Sequence, residues 1–153
     1  MTLSLAVQFA SKARHLPGRA QVRRWALAAH PTNSQAVVTI RYVDEKEGRA
    51  LNLAFRQKDY ATNVLTFVHD LSPATSRSPL SYAADIVICA PVIWREAREQ
   101  KKPVAAHHAH MVIHGLLHAQ GFDHEIDVDA AAMEAIEIAT LGRFRIKNPY
   151  EIE

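Results

Sequence analysis

The chain of 153 residues has a single cysteine, Cys89, which excludes an internal disulfide framework. No apolar run approaches the roughly 18 residues of a membrane-spanning helix. The N-terminus has no basic region followed by a long apolar core, so a secretory signal is not expected. Internal repeats, linkers and low-complexity segments are also missing, and the length suits one domain spanning 1–153. These absences predict a cytoplasmic protein with no membrane partner. Acidic side chains are absent from residues 1–43, which carry Lys12, Arg14, Arg19, Arg23, Arg24 and Arg41. The net charge of the whole chain is only +2, so the remainder is acidic overall. A basic segment of this kind fits a polyanionic partner, and it equally fits a solvated helix face.

What is present reads as alternating strands and helices. Leu3, Leu5, Val7 and Phe9 alternate with polar residues and predict a first strand. Pro17-Gly18 opens a helix whose Val22, Trp25, Ala26 and Ala29 form one apolar stripe, stopped by Pro31. Gln35 to Val43 is a β-branched second strand, and Asp44 to about Phe55 is a second helix. After a polar, turn-rich connection, Val64 to Val68 is a third strand. The Ser/Pro-rich stretch Asp70 to Ser81 reads as a loop at a rim or lid. Ala84 to Cys89 is a fourth strand, buried on both faces, and Cys89 is its strand-end thiol rather than a nucleophile. Pro91 and Pro103 each begin a helix, and Asp127 and Asp129 open a last one that Gly142 ends. The expected fold class is α+β, with about four strands in a mixed sheet around a central metal-binding helix and about five helices.

That central helix carries His114 and His118, four apart and therefore on one face. Gly121 ends it, because glycine takes the left-handed conformation of helix C-termini, and the turn brings His124 back towards the first two rings. Three neutral imidazoles converging in this way make an open zinc site. The spacing matches the metzincin pattern H-E-x-x-H-x-x-G-x-x-H, except that Gly115 stands where the glutamate would be. That glutamate is the base of the peptidase reaction, so the cage is kept and the peptidase base is missing. Ordinary packing histidines of a buried helix are the bland alternative. His107 and His110 share the stripe, as capping, substrate-facing or packing groups, and His108 points elsewhere. Asp85 and Asp123 are candidate bases, or carboxylates that orient a histidine.

Taken together, these residues resemble the bacterial YbeY endoribonucleases, the rRNA maturation factors. The match runs from Leu51-Asn52 through Arg56, Lys58-Asp59 and Thr62-Asn63-Val-Leu-Thr-Phe67 to Asp85-Ile-Val-Ile-Cys89. It ends in His114-Gly-Leu-Leu-His118, Gly121-Phe-Asp-His124 and Met133-Glu134. The resemblance implies a four-stranded sheet around a central helix and metal-dependent cleavage of single-stranded RNA. It further implies a role in ribosomal RNA maturation, including 16S 3′-end processing, and in ribosome quality control. The expected partners are ribosomal RNA, ribosomal subunits and assembly factors, with no DNA. By the same resemblance His114, His118 and His124 hold one zinc ion per chain, and Arg56 is the catalytic arginine. Zinc polarises phosphoryl oxygens, and the planar guanidinium of an arginine matches a phosphate. Two further readings are a zinc peptidase-like hydrolase and a non-catalytic assembly factor with structural zinc. A structural site is normally closed by a fourth protein ligand, which Cys89 is not obviously placed to supply.

Overall fold

The computed structural model describes residues 3–71, 80–122 and 127–151, with 127 and 128 described by their backbone alone. The expected Asp70–Ser81 loop falls mostly on 72–79, outside the described residues, as do Asp123 and His124. In chain order the elements are β1 (Leu3–Ala10), α1 (Arg19–Ala29), β2 (Ala36–Val43), α2 (Glu45–Arg56) and β3 (Val64–Val68). They continue with β4 (Tyr82–Cys89), α3 (Ala90–Glu99), α4 (Val104–Ala119) and α5 (Asp127–Gly142). The sheet has the order β1-β2-β4-β3, with β1, β2 and β4 parallel and β3 antiparallel to β4. The fold is the mixed-sheet α+β arrangement that the sequence predicts. Among the described residues no helix is long and apolar enough to cross a membrane.

β4 lies between β2 and β3, so both of its edges are paired. Ile86, Val87, Ile88 and Cys89 are accordingly all buried, as a continuous apolar strand requires. On one face Val38, Ile40, Tyr42, Ile86 and Ile88 pack with Val22 and Trp25 of α1 and Val112, Ile113 and Leu116 of α4. On the other, Val43, Leu65, Val87 and Cys89 pack with Val92 and, beneath α2, with Leu51. Cys89 is buried, and burial raises its thiol to about 11, so it stays protonated and inert.

α4 is buried on almost every side, which is why its sequence is apolar all round apart from its histidines. It lies so close to the sheet that a Cβ at position 115 would sit 2.9 Å from Ile86 Cγ2. Gly115 is therefore set by packing, and a side chain there, glutamate included, would force Ile86 or the helix to shift. Gly121 takes φ 101°, and the amides of Gly121 and Phe122 bond to His118 O and Leu117 O. The predicted left-handed helix stop is in place. Asp44 ends β2 by binding back across the sheet, accepting from Ser11 Oγ at 2.5 Å and from the Lys12 amide at 2.9 Å.

Candidate functional site

The site grows from the exposed end of the histidine stripe on α4. The Nε2 atoms of His114 and His118 face each other at 3.0 Å. Two imidazole nitrogens in tetrahedral coordination at about 2.0–2.1 Å from zinc would stand about 3.3 Å apart. The pair is thus close to ligand separation, and the donor chemistry suits a borderline metal.

The other nitrogen of His114 is held from behind. Its Nδ1 lies 2.5 Å from Glu137 Oε1 on α5. Glu137 is completely buried, and it also accepts from the Tyr150 hydroxyl and, at 3.4 Å, from His110 Nε2. Burial alone would raise this carboxyl, but the hydrogen bonds from His110, His114 and Tyr150 outweigh it and bring the pKa to about 2. A permanent carboxylate at Nδ1 fixes the proton there and turns the Nε2 lone pair towards His118. Burial and the neighbouring carboxylate keep the Tyr150 hydroxyl protonated, so it remains a donor. His110 is shifted down by burial, against the pull of Glu137.

His110, His114 and Glu137 together bring their ligand atoms within 4.8 Å of one another, a grouping able to hold a metal ion. The carboxylate in that group is already committed to three donors and faces the interior. The Nε2 side of His114 instead opens into a cleft of about 420 Å³. His118 shares its wall, and Arg56, Asn63, Thr66 and Tyr150 line it further.

Arg56 is the last residue of α2, and the left-handed Gln57 (φ 61°) caps the helix immediately after it. That cap turns the chain towards β3 and leaves the guanidinium at the cleft. Its simplest alternative partner, Asp59, is taken by Arg49 through contacts of 2.6 and 2.9 Å. Among the described residues Arg56 makes no salt bridge.

The family profile described as "Endoribonuclease YbeY" matches residues 11–145, nearly the whole of this architecture. The chain belongs to the YbeY endoribonuclease family. An "Endoribonuclease YbeY" of Thiobacillus denitrificans is 53% identical over 149 residues, which cover 97% of this chain and 96% of that protein. The one of Aromatoleum aromaticum is 48% identical over 150 residues, 98% of this chain and 91% of that protein. For the relative from Cupriavidus pinatubonensis, 50% identical, the match covers 88% of this chain but only 64% of that protein. A Thermotoga maritima protein solved in solution shares the fold, with a TM-score of 0.57 at 21% identity, covering 96% of this chain and 97% of that one.

Within this YbeY frame, the residues singled out from sequence fall into three groups. His114, His118 and Arg56 come together at one cleft, and His124 and Asp123 lie outside the described residues. Asp85 lies apart from both groups. It faces the α2 side of the sheet with its cross-strand neighbour Phe67, whereas its flanking residue Ile86 packs against Gly115 of α4. Its carboxylate bonds to His69 Nε2 at 3.0 Å, away from the cleft. Strand alternation puts adjacent residues on opposite faces, so Asp85 and Ile86 cannot both look towards α4. The remaining histidines take separate roles. His107 Nε2 lies 2.9 Å from Glu96 Oε1, and His108 packs edge-on against Tyr42.

Glu137 and Tyr150 escaped the sequence reading. For Glu137 a signal existed. It shares a buried stripe of α5 with Met133, Thr140 and Leu141, at spacings of three and four, and a carboxylate on such a stripe needs a partner. Tyr150 left no comparable mark.

Proposed function

We propose that the chain is a zinc-dependent endoribonuclease of single-stranded RNA, acting in ribosomal RNA maturation and ribosome quality control with ribosomal subunits and assembly factors as partners. Membership of the endoribonuclease family makes it a hydrolase acting on RNA; the metal and the residue roles are the further steps. The observation that carries them is the pair of converging imidazoles on one wall of a cleft and the Arg56 guanidinium on another. In this reading His114, His118 and His124 hold one zinc ion. Such an ion supplies Lewis acidity towards a phosphoryl oxygen and towards water.

The chain's own residues supply the rest. Glu137 fixes the tautomer of His114, and Tyr150 and His110 anchor Glu137. Arg56 binds the scissile phosphate and stabilises the charge that builds on its oxygens. The peptidase-like reading loses its base, because Ile86 occupies the space a side chain at 115 would need. Purified protein should cleave single-stranded RNA, lose the activity with chelator, and lose both activity and metal in a His114→Ala, His118→Ala variant. Chelator-resistant cleavage, or full metal occupancy in that variant, removes the zinc assignment. Absence of cleavage in the metal-loaded wild type leaves the non-catalytic assembly factor.

A further inference from the structure

The cleft at Arg56 and His114 does not end at Tyr150. Asn63, His110, Met111 and Tyr150 also line a second, larger groove of about 1230 Å³. Cations from several elements meet along it: Arg24 of α1, Lys101 and Lys102 in the turn between α3 and α4, and Arg145 after α5. We propose that this groove is an extended binding track for single-stranded RNA, carrying the strand away from the cleft on phosphate contacts to Arg24, Lys101, Lys102 and Arg145. The proposal rests on the reading of the cleft as an RNA site and assigns it a second, non-reacting subsite.

Charge balance favours a polyanion. Of the groove's acids, Glu96 is already engaged by His107 at 2.9 Å and by Asn63 at 3.2 Å. Arg24, Lys101, Lys102 and Arg145 form no salt bridge among the described residues. Lys102 is half-buried, and burial depresses its ammonium against the pull of Glu96, so an arriving anion would find a partly desolvated partner. Cations near the ends of α3 and α5 do offset the helix dipoles, but a dipole does not require them to line one continuous groove. Lys101 and Arg145 hold left-handed conformations, φ 53° and 60°, where glycine is the residue of least cost.

The junction also offers an aromatic surface. Tyr150 is 40% exposed, while its hydroxyl is tethered to Glu137. A ring fixed in this way can stack against a base without losing side-chain freedom on binding. Basic walls with an aromatic platform are the usual composition of sequence-tolerant single-strand sites.

The test uses metal-loaded protein and phosphorothioate-protected RNA, read by fluorescence anisotropy across a salt series. A short oligonucleotide that fills the cleft alone is compared with one three times its length. Wild-type protein should bind the longer strand about tenfold or more tightly, through added phosphate contacts. The exposed-residue variant Arg24→Gln, Lys101→Gln, Arg145→Gln should lose that gain. Its salt slope should fall by about 2, since each single-strand phosphate contributes about 0.7. If the triple variant does not fold, Lys101→Gln with Arg145→Gln should give a proportionate part of both changes. Wild-type affinity independent of length, as expected of a groove for an acidic protein segment, overturns the proposal. So does a variant that keeps the gain. Single-turnover cleavage by wild type separates the two readings. Cleavage without length dependence removes the track alone, whereas length dependence without cleavage removes the nuclease reading and leaves the track.

Discussion

Glu137 has no exposed surface and accepts from His114, His110 and Tyr150, so its effect on chemistry runs through His114. Glu137→Gln keeps the shape but removes the charge that fixes the imidazole proton. Metal affinity should fall by about 10- to 100-fold, measured by competition with a chromogenic chelator. Unchanged affinity would make Glu137 a packing residue only. Arg56 belongs to the same scale and acts on the other partner. Arg56→Ala should keep fold and metal content while single-turnover cleavage drops by on the order of 10²–10³. Lysine should rescue poorly, because a point charge cannot replace two parallel hydrogen bonds. A rise in KM with kcat spared would reassign Arg56 to substrate binding.

At the scale of elements, α4 meets its surroundings at two glycines for different reasons. A Cβ at 115 would be 2.9 Å from Ile86, whereas one at 121 would meet nothing within 4 Å but would sit at φ 101°. Gly115→Ala should therefore cost about 1–3 kcal/mol by forcing the helix off the sheet. It should also move His114 relative to Arg56. Gly121→Ala should cost about 1–2 kcal/mol through backbone strain alone, felt at the end of the helix. Urea unfolding gives both costs. Near-ultraviolet dichroism separates them, because only the first disturbs core packing around Tyr42 and Trp25. Equal spectra for the two variants would contradict the assignment of Gly115 to packing.

For the whole molecule, stability should respond to acid in two windows. Burial holds His108 neutral, pushed down from 6.5 to about 4. The unfolded chain then takes up a proton that the fold refuses, so stability is complete above about pH 6.5 and declines as the pH falls towards 4. The shift bounds the loss at roughly 3 kcal/mol. Asp44 is held below its usual range by Ser11 and the Lys12 amide, and Glu47 by Arg41. Their contribution is present above the unfolded values of 3.8 and 4.5 and is lost as the pH falls through the lower folded ones. His110, also shifted down by burial, contributes to the same window, so His108→Gln should reduce the upper slope without abolishing it and spare the lower window, seen as urea midpoints against pH. An upper slope that the substitution leaves unchanged would remove His108 from that window.

The sequence by itself determined the elements and the pairing of His114 with His118 on one face of α4. β3 runs from Val64 to Val68 as its apolar, β-branched run implies, α5 starts at Asp127 and stops at Gly142, and α4 stops at a left-handed Gly121. Each of these follows from dihedral preference and side-chain periodicity, which act over a few residues. The spacing of His114 and His118 is legible for the same reason, since one helical turn sets it. Tertiary structure alone decided the rest. The register of β4 against β3 turned Asp85 away from α4, a matter of single-residue alternation that composition cannot reveal. The packing of α5 on α4 put Glu137 behind His114 across a separation of 23 residues. Arg56 reached the cleft because β3 is an edge strand, round which the end of α2 can turn. Strand order and helix docking depend on burying one continuous core, and that requirement is not written in any local stretch of the chain.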